Sequence, residues 1–164
     1  MIYIYRLEVV NKNIFEMINN LMTQLSAFKT TKISQENIES CLKNKNFYLL
    51  IVVDTEYPNP IKCGIVGIGS IFFQQNLTGW IGEIHDIVVD EKYRGRGIGK
   101  FIVENLLTEA RNFAKNTNVE IKLYLTSRPE RTVANALYLK LGFNIMASST
   151  SETGTNLFKK LITP

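Results

Sequence analysis

Histidine occurs once in this 164-residue chain, at His85, and cysteine only twice. Cys41 falls in a helical pattern and Cys63 in a strand pattern, so no paired spacing suits a metal. Neither cysteine has a histidine close in sequence, which argues against a base-activated thiol nucleophile and leaves packing as their expected role. No apolar run approaches the roughly 20 residues needed to cross a bilayer. Low-complexity tracts are absent, and a charged fraction of 21% is ordinary, so disorder is not expected. The opening Met1-Ile2-Tyr3-Ile4-Tyr5-Arg6 alternates like a strand and lacks the basic start and apolar centre of a signal peptide, which makes the cytoplasm the expected location. Net charge is a modest +4, and the basic cluster from Lys92 to Lys100 lacks aromatic interleaving of the kind used for base stacking. Nucleic acid and membrane are therefore not expected partners.

What the chain does have is apolar periodicity. With 45% hydrophobic residues it suits one compact domain over residues 1–164. Residues 2–9 predict a strand, and Ile14, Met17, Ile18, Leu21, Met22 and Leu25 recur at helical spacing. Ser34 before Glu36, Ile38, Cys41 and Leu42 predicts a second, capped helix. A strand from Phe47 to Val53 is broken by Tyr57-Pro58-Asn59-Pro60, since proline cannot donate to a ladder. Residues 62–74 and Trp80 to Val89 read as strands about a turn at Gln75 to Gly79, where Asn76-Leu77-Thr78 is taken as an ordinary turn and not a glycosylation site. A helix to about Lys115, a strand from Val119 to Leu125, a helix from about Arg131 to Leu141 and strands near 143–148 and 155–162 complete the order.

Between the Trp80 to Val89 strand and the helix that follows stands Arg94-Gly95-Arg96-Gly97-Ile98-Gly99-Lys100. Glycines there bare the unpaired N–H groups of a helix start, where the positive end of the helix dipole favours an anion such as phosphate. A P-loop would need glycine at position 94 and serine or threonine at position 101, which are Arg94 and Phe101. A dinucleotide fingerprint would need glycine at Lys100. Arg94-x-x-Gly97-x-Gly99 instead resembles the pyrophosphate-binding signature of the GNAT superfamily of N-acetyltransferases. Leu125 to Glu130 followed by Asn135-Ala136-Leu137-Tyr138-Leu139-Lys140-Leu141-Gly142-Phe143 resembles that superfamily's second signature, in the same order and at the same separation.

The resemblance covers the whole chain and implies an α/β (α+β) fold, with one mixed, mostly antiparallel, twisted sheet of about six or seven strands splayed in a V and flanked by about four helices. It implies acetyl-CoA as cosubstrate, with no metal. The main-chain groups of Ile87, Val88 and Val89 would pair with the pantetheine arm as an added strand does, and the N–H groups of Gly95, Arg96, Gly97, Ile98, Gly99 and Lys100 would take the pyrophosphate. The side chains of Arg94, Arg96 and Lys100 could add charge-assisted contacts, with solvent exposure the plainer reading for the last two. Asn135 would make a polar contact to the same arm.

The acceptor amine must lose a proton before it attacks. Glu83 stands where some members of the superfamily carry a glutamate base, and His85 projects from the same strand face by the period of two. Other members place an acidic residue at the position of His85, from which this chain departs. Either side chain could instead be a solvated strand residue, or for His85 a satisfied core histidine, and Asp86 should point the other way unless a bulge intervenes. Tyr138 would protonate the departing thiolate; read by itself, it is a part-buried aromatic on a helix whose Val133, Leu137 and Leu141 face the core. The resemblance thus implies direct acetyl transfer in a ternary complex to an amine of a small molecule or peptide. The alternative is a coenzyme-A-binding sensor or scaffold without transfer chemistry. A homodimer through strands near the C-terminus is also implied.

Overall fold

The computed structural model describes residues 1–25, 33–56, 64–150 and 154–164. Among them run seven strands, β1 (Ile2–Arg6), β2 (Phe47–Asp54), β3 (Gly64–Asn76), β4 (Gly79–Val89), β5 (Ile121–Ser127), β6 (Asn144–Ala147) and β7 (Asn156–Ile162). Four α-helices accompany them, α1 (Lys12–Met22), α2 (Gln35–Lys43), α3 (Ile98–Thr117) and α4 (Thr132–Lys140). The sheet order is β1-β2-β3-β4-β5-β7-β6. β1 with β2, β5 with β7 and β6 with β7 are antiparallel, whereas β4 and β5 are parallel and joined by α3. The expected mixed α/β architecture is therefore present. The turn expected at Tyr57 to Pro60 and the packing expected of Cys63 lie outside the described residues. No helix among the described residues is long and apolar enough to cross a membrane.

The chain forms two compact units, one of Met1–Ile71 with Asp86–Val103, the other of Phe72–His85 with Glu104–Pro164. In the first, Asn11 Oδ1 accepts from Ile14 N at 2.9 Å and Ser34 Oγ from Asn37 N at 3.1 Å, so each helix opens on a side-chain cap. Those caps set the phase that turns Ile18, Leu21 and Ile38 onto Leu49, Ile51 and Val53 of β2. Burying each such side chain contributes about 1.5–3 kcal/mol. Cys41 does not pack as expected; it is exposed, because the inward line of α2 runs through Ile38 and Leu42.

In the second unit, β3 and β4 meet at a turn in which Asn76 Oδ1 accepts from both the N–H and the hydroxyl of Thr78, each at 2.9 Å. Phe113 of α3 stacks on Phe73 at 4.1 Å between ring centroids, with Trp80 edge-on at 5.1 Å. Gly82 makes room for this packing, since a Cβ there would stand 2.9 Å from Leu123 Cδ1. On α4 the expected core line is replaced: Val133 is 85% exposed, Leu137 and Leu141 are only half-buried, and Tyr138 is the residue turned inward.

Candidate active site

In the first unit, β4 leads through a short 3-10 turn (Glu91–Tyr93) into the glycine-rich segment and α3. Gly95 and Gly97 adopt φ of +76° and +80°, the left-handed region that side chains with a Cβ resist. Nothing lies within 4 Å of where a Cβ would sit on either, so the backbone is bare on that side. Gly97 O accepts from Phe101 N at 3.0 Å, which makes Gly97 the residue that opens α3 and leaves the N–H groups of Ile98 and Gly99 without an intrahelical carbonyl. A helix of 20 residues thus presents its positive end at an unobstructed turn.

Side chains brace that turn. Arg94 Nε donates to Val89 O at 3.1 Å, and Gln24 Oε1 accepts from Glu91 N at 2.9 Å and from Arg94 at 3.5 Å. Arg96 lies over the ring of Tyr93, 4.9 Å from its centroid, while the Tyr93 hydroxyl donates to Asp54 Oδ2 at 2.8 Å. Ile98 is 5% exposed, so its side chain anchors the helix start and its N–H faces the turn.

In the second unit, Glu83 of β4 pairs in register with Tyr124 of β5, and the register of these parallel strands runs from Trp80↔Ile121 to Ile84↔Leu125. His85 Nε2 stands 3.2 Å from Glu83 Oε2, both side chains about half exposed. Period-two alternation places them together, and the contact bears it out. Asp86 follows with φ of +55°, a conformation uncommon outside glycine and tolerated by aspartate. Its Oδ2 accepts from the buried Ser70 hydroxyl at 3.3 Å.

α4 ends in a paired cap. Phe143 N donates to Tyr138 O at 3.1 Å and Gly142 N to Leu139 O at 3.0 Å, with Gly142 at φ +83°. The apolar contact that goes with this motif is Tyr138 against Phe143, 6.2 Å between centroids, and Tyr138 also meets Phe158 edge-on at 5.4 Å. Burial raises the Tyr138 phenol above its ordinary 10.0, against the charge of Arg131, so it remains a proton donor at neutral pH. Asn135 Nδ2 donates to Arg128 O at 3.1 Å and Pro129 O at 3.2 Å, which turns Oδ1 the other way. That oxygen and Ser127 Oγ, at the end of β5, are both buried without a hydrogen-bond partner.

The model of the acetyltransferase (GNAT) family matches residues 14–143. The chain belongs to that family. Among curated proteins it is similar to glucosamine 6-phosphate N-acetyltransferase 1 of Dictyostelium discoideum, 36% identical over 87 residues, 52% of this chain and 54% of that protein. The chain thus matches about half the length of that relative. Its fold is that of Arabidopsis thaliana NAA60, solved with a bisubstrate analogue (TM-score 0.74) and with acetyl-CoA (TM-score 0.72), at 16% identity over 99% of both chains. It is similarly close to an acetyltransferase of the GNAT family from Streptococcus pneumoniae, with TM-score 0.72 and 22% identity over 99% of this chain and 100% of that one.

Within this GNAT chain the residues singled out by sequence divide between the two units. Arg94 to Lys100 and Ile87, Val88 and Val89 lie in the first; Glu83, His85, Asn135 and Tyr138 lie in the second. Val88 is buried, Ile87 and Val89 are half-buried, and the Val89 carbonyl already serves Arg94. Ser127 is the polar residue that sequence reading passed over. Its signal was faint: a hydroxyl closing the apolar face of Ile121, Leu123 and Leu125.

Proposed function

We propose that the protein is an acetyl-CoA-dependent N-acetyltransferase that moves the acetyl group to an amine by direct attack, with no covalent acyl-enzyme. The observation that carries this reading is the turn at Gly95 and Gly97, whose left-handed glycines open a 20-residue helix on bare backbone. The two orphaned buried atoms, Ser127 Oγ and Asn135 Oδ1, support it further. A buried polar atom left unpaired costs about 1–3 kcal/mol, and a ligand bearing amide groups would satisfy both.

When bound, acetyl-CoA supplies an activated acyl group. The N–H groups at the Gly95 to Lys100 turn would hold its pyrophosphate, and Asn135 Oδ1, which can only accept, would suit an amide N–H. Glu83, alone or through His85, takes the proton of the attacking amine. Tyr138 keeps its phenolic proton at neutral pH and, on the sheet face opposite Glu83, would deliver it to the departing sulfur where the pairing of β4 with β5 ends at Ile84↔Leu125.

The test is acetyl-CoA-dependent thiol release across a panel of amino sugars, polyamines, amino acids and peptides. Release with at least one amine, lost in Glu83→Gln and weakened in Tyr138→Phe, supports the reading. Tight acetyl-CoA binding without release for any amine overturns it in favour of a sensor of the same fold.

A further inference from the structure

The register of the second unit sets three side chains in a row across one face of its sheet. Glu83 of β4 is paired with Tyr124 of β5, and Tyr124 with Lys159 of β7. Residues paired in register point to the same face, so carboxylate, aromatic ring and ammonium follow one another. Lys159 Nζ confirms the geometry by lying over the Tyr124 ring, 5.9 Å from its centroid. Two strand spacings separate the Cα atoms of Glu83 and Lys159, about 10 Å. The next row on this face, Ile81, Lys122 and Leu161, adds a second cation. Tyr138 packs on Phe158, which pairs with Leu125, and so belongs to the opposite face.

We infer that the acceptor is an amine with an anionic group, phosphate or carboxylate, at its far end. This rests on the acetyltransferase reading and names its substrate class. The amine meets Glu83, the body of the molecule lies along Tyr124, and Lys159 receives the anion. Lys159 is a half-buried residue whose ammonium lies over an aromatic ring, and a charge-assisted hydrogen bond from it favours phosphate or carboxylate over a neutral group. Lys122 strengthens the same preference at longer range and disfavours acceptors that are themselves polycations.

The experiment offers matched amines to the full chain with saturating acetyl-CoA: ethanolamine against O-phosphoethanolamine, butylamine against γ-aminobutyrate, an amino hexose against its phosphate ester, and spermidine. The anionic member of a pair is expected to have a kcat/KM at least about tenfold higher, with spermidine the poorest. Lys159→Met should remove that preference by raising KM for the anionic member, while Lys159→Arg retains it. The melting shift produced by acetyl-CoA should be the same in all three proteins. Phosphate and carboxylate pairs compared with each other show which anion is preferred. Turnover in which neutral members do as well, or in which Lys159→Met keeps the preference, overturns the inference and leaves acetyl transfer standing. Acetyl-CoA binding with no turnover of any amine sinks the transfer reading, and the inference falls with it.

Discussion

His85 Nε2 and Glu83 Oε2 are 3.2 Å apart on the same face of β4, one residue short of the left-handed Asp86. The contact gives Glu83 a polar partner that can relay a proton. Glu83→Gln keeps the shape and removes the basic oxygen, so kcat/KM for the acceptor should fall about 10²–10⁴-fold. His85→Gln should have a smaller effect, because Glu83 remains. Steady-state rates with both variants decide this; an unimpaired Glu83→Gln would remove Glu83 from the mechanism.

Tyr138 is buried against Phe143 and Phe158, so Tyr138→Phe should preserve the fold and lose only the hydroxyl. As an acid whose pKa is raised by burial, the wild-type residue stays protonated past the ordinary 10.0 and loses its proton only above it. The rate should accordingly show no alkaline limb from Tyr138 below that value. The variant is expected to lose about tenfold or more in kcat with little change in melting temperature. A variant as fast as wild type would assign proton delivery elsewhere.

Gly97→Ala places a Cβ in the left-handed region at the head of α3. Space is available there, so the cost is conformational, about 1–2 kcal/mol. Denaturant unfolding should register that loss, and KM for acetyl-CoA should rise because the new methyl group sits on the bare side of the turn. An unchanged KM would mean that the pyrophosphate does not lie there.

Ser127→Ala should behave in the opposite sense. The buried hydroxyl has no partner, so its removal should leave the apo protein as stable or slightly more so. If the hydroxyl meets the coenzyme A arm, the melting shift produced by coenzyme A should shrink while the shift produced by adenosine 3′,5′-diphosphate, which lacks the arm, stays the same. Equal losses with both ligands would count against a contact to the arm.

Asp54 accepts from Glu56 N–H, the Tyr93 hydroxyl and the terminal ammonium of Met1, and these hold its carboxyl below the ordinary 3.8. A depressed carboxyl stabilises the fold above its unfolded pKa and loses that contribution as pH falls through its folded pKa. Wild type and Asp54→Asn should therefore differ in melting temperature near neutrality and converge below pH 3.8. Curves that stay parallel into acid would show that the carboxylate charge is not what matters.

Much of this was legible in the chain itself. Local rules placed Ser34 at the head of α2, the glycines at the head of α3 and Gly142-Phe143 at the end of α4, because caps and left-handed turns depend on residues a few positions apart. Period two likewise put Glu83 beside His85. Where helical periodicity had to choose a buried face without knowing the partner, it erred: Cys41 is exposed, and α4 turns Tyr138 inward in place of Val133.

Contiguous residues with fixed conformational preferences encode the family signatures, the helix starts and the glycine turn. Folding is what sets Glu83, Tyr124 and Lys159 in one row, puts Tyr138 on the other face, and leaves Ser127 Oγ and Asn135 Oδ1 without partners. Strand register and burial join residues far apart in the chain, and no local preference specifies which of them will meet.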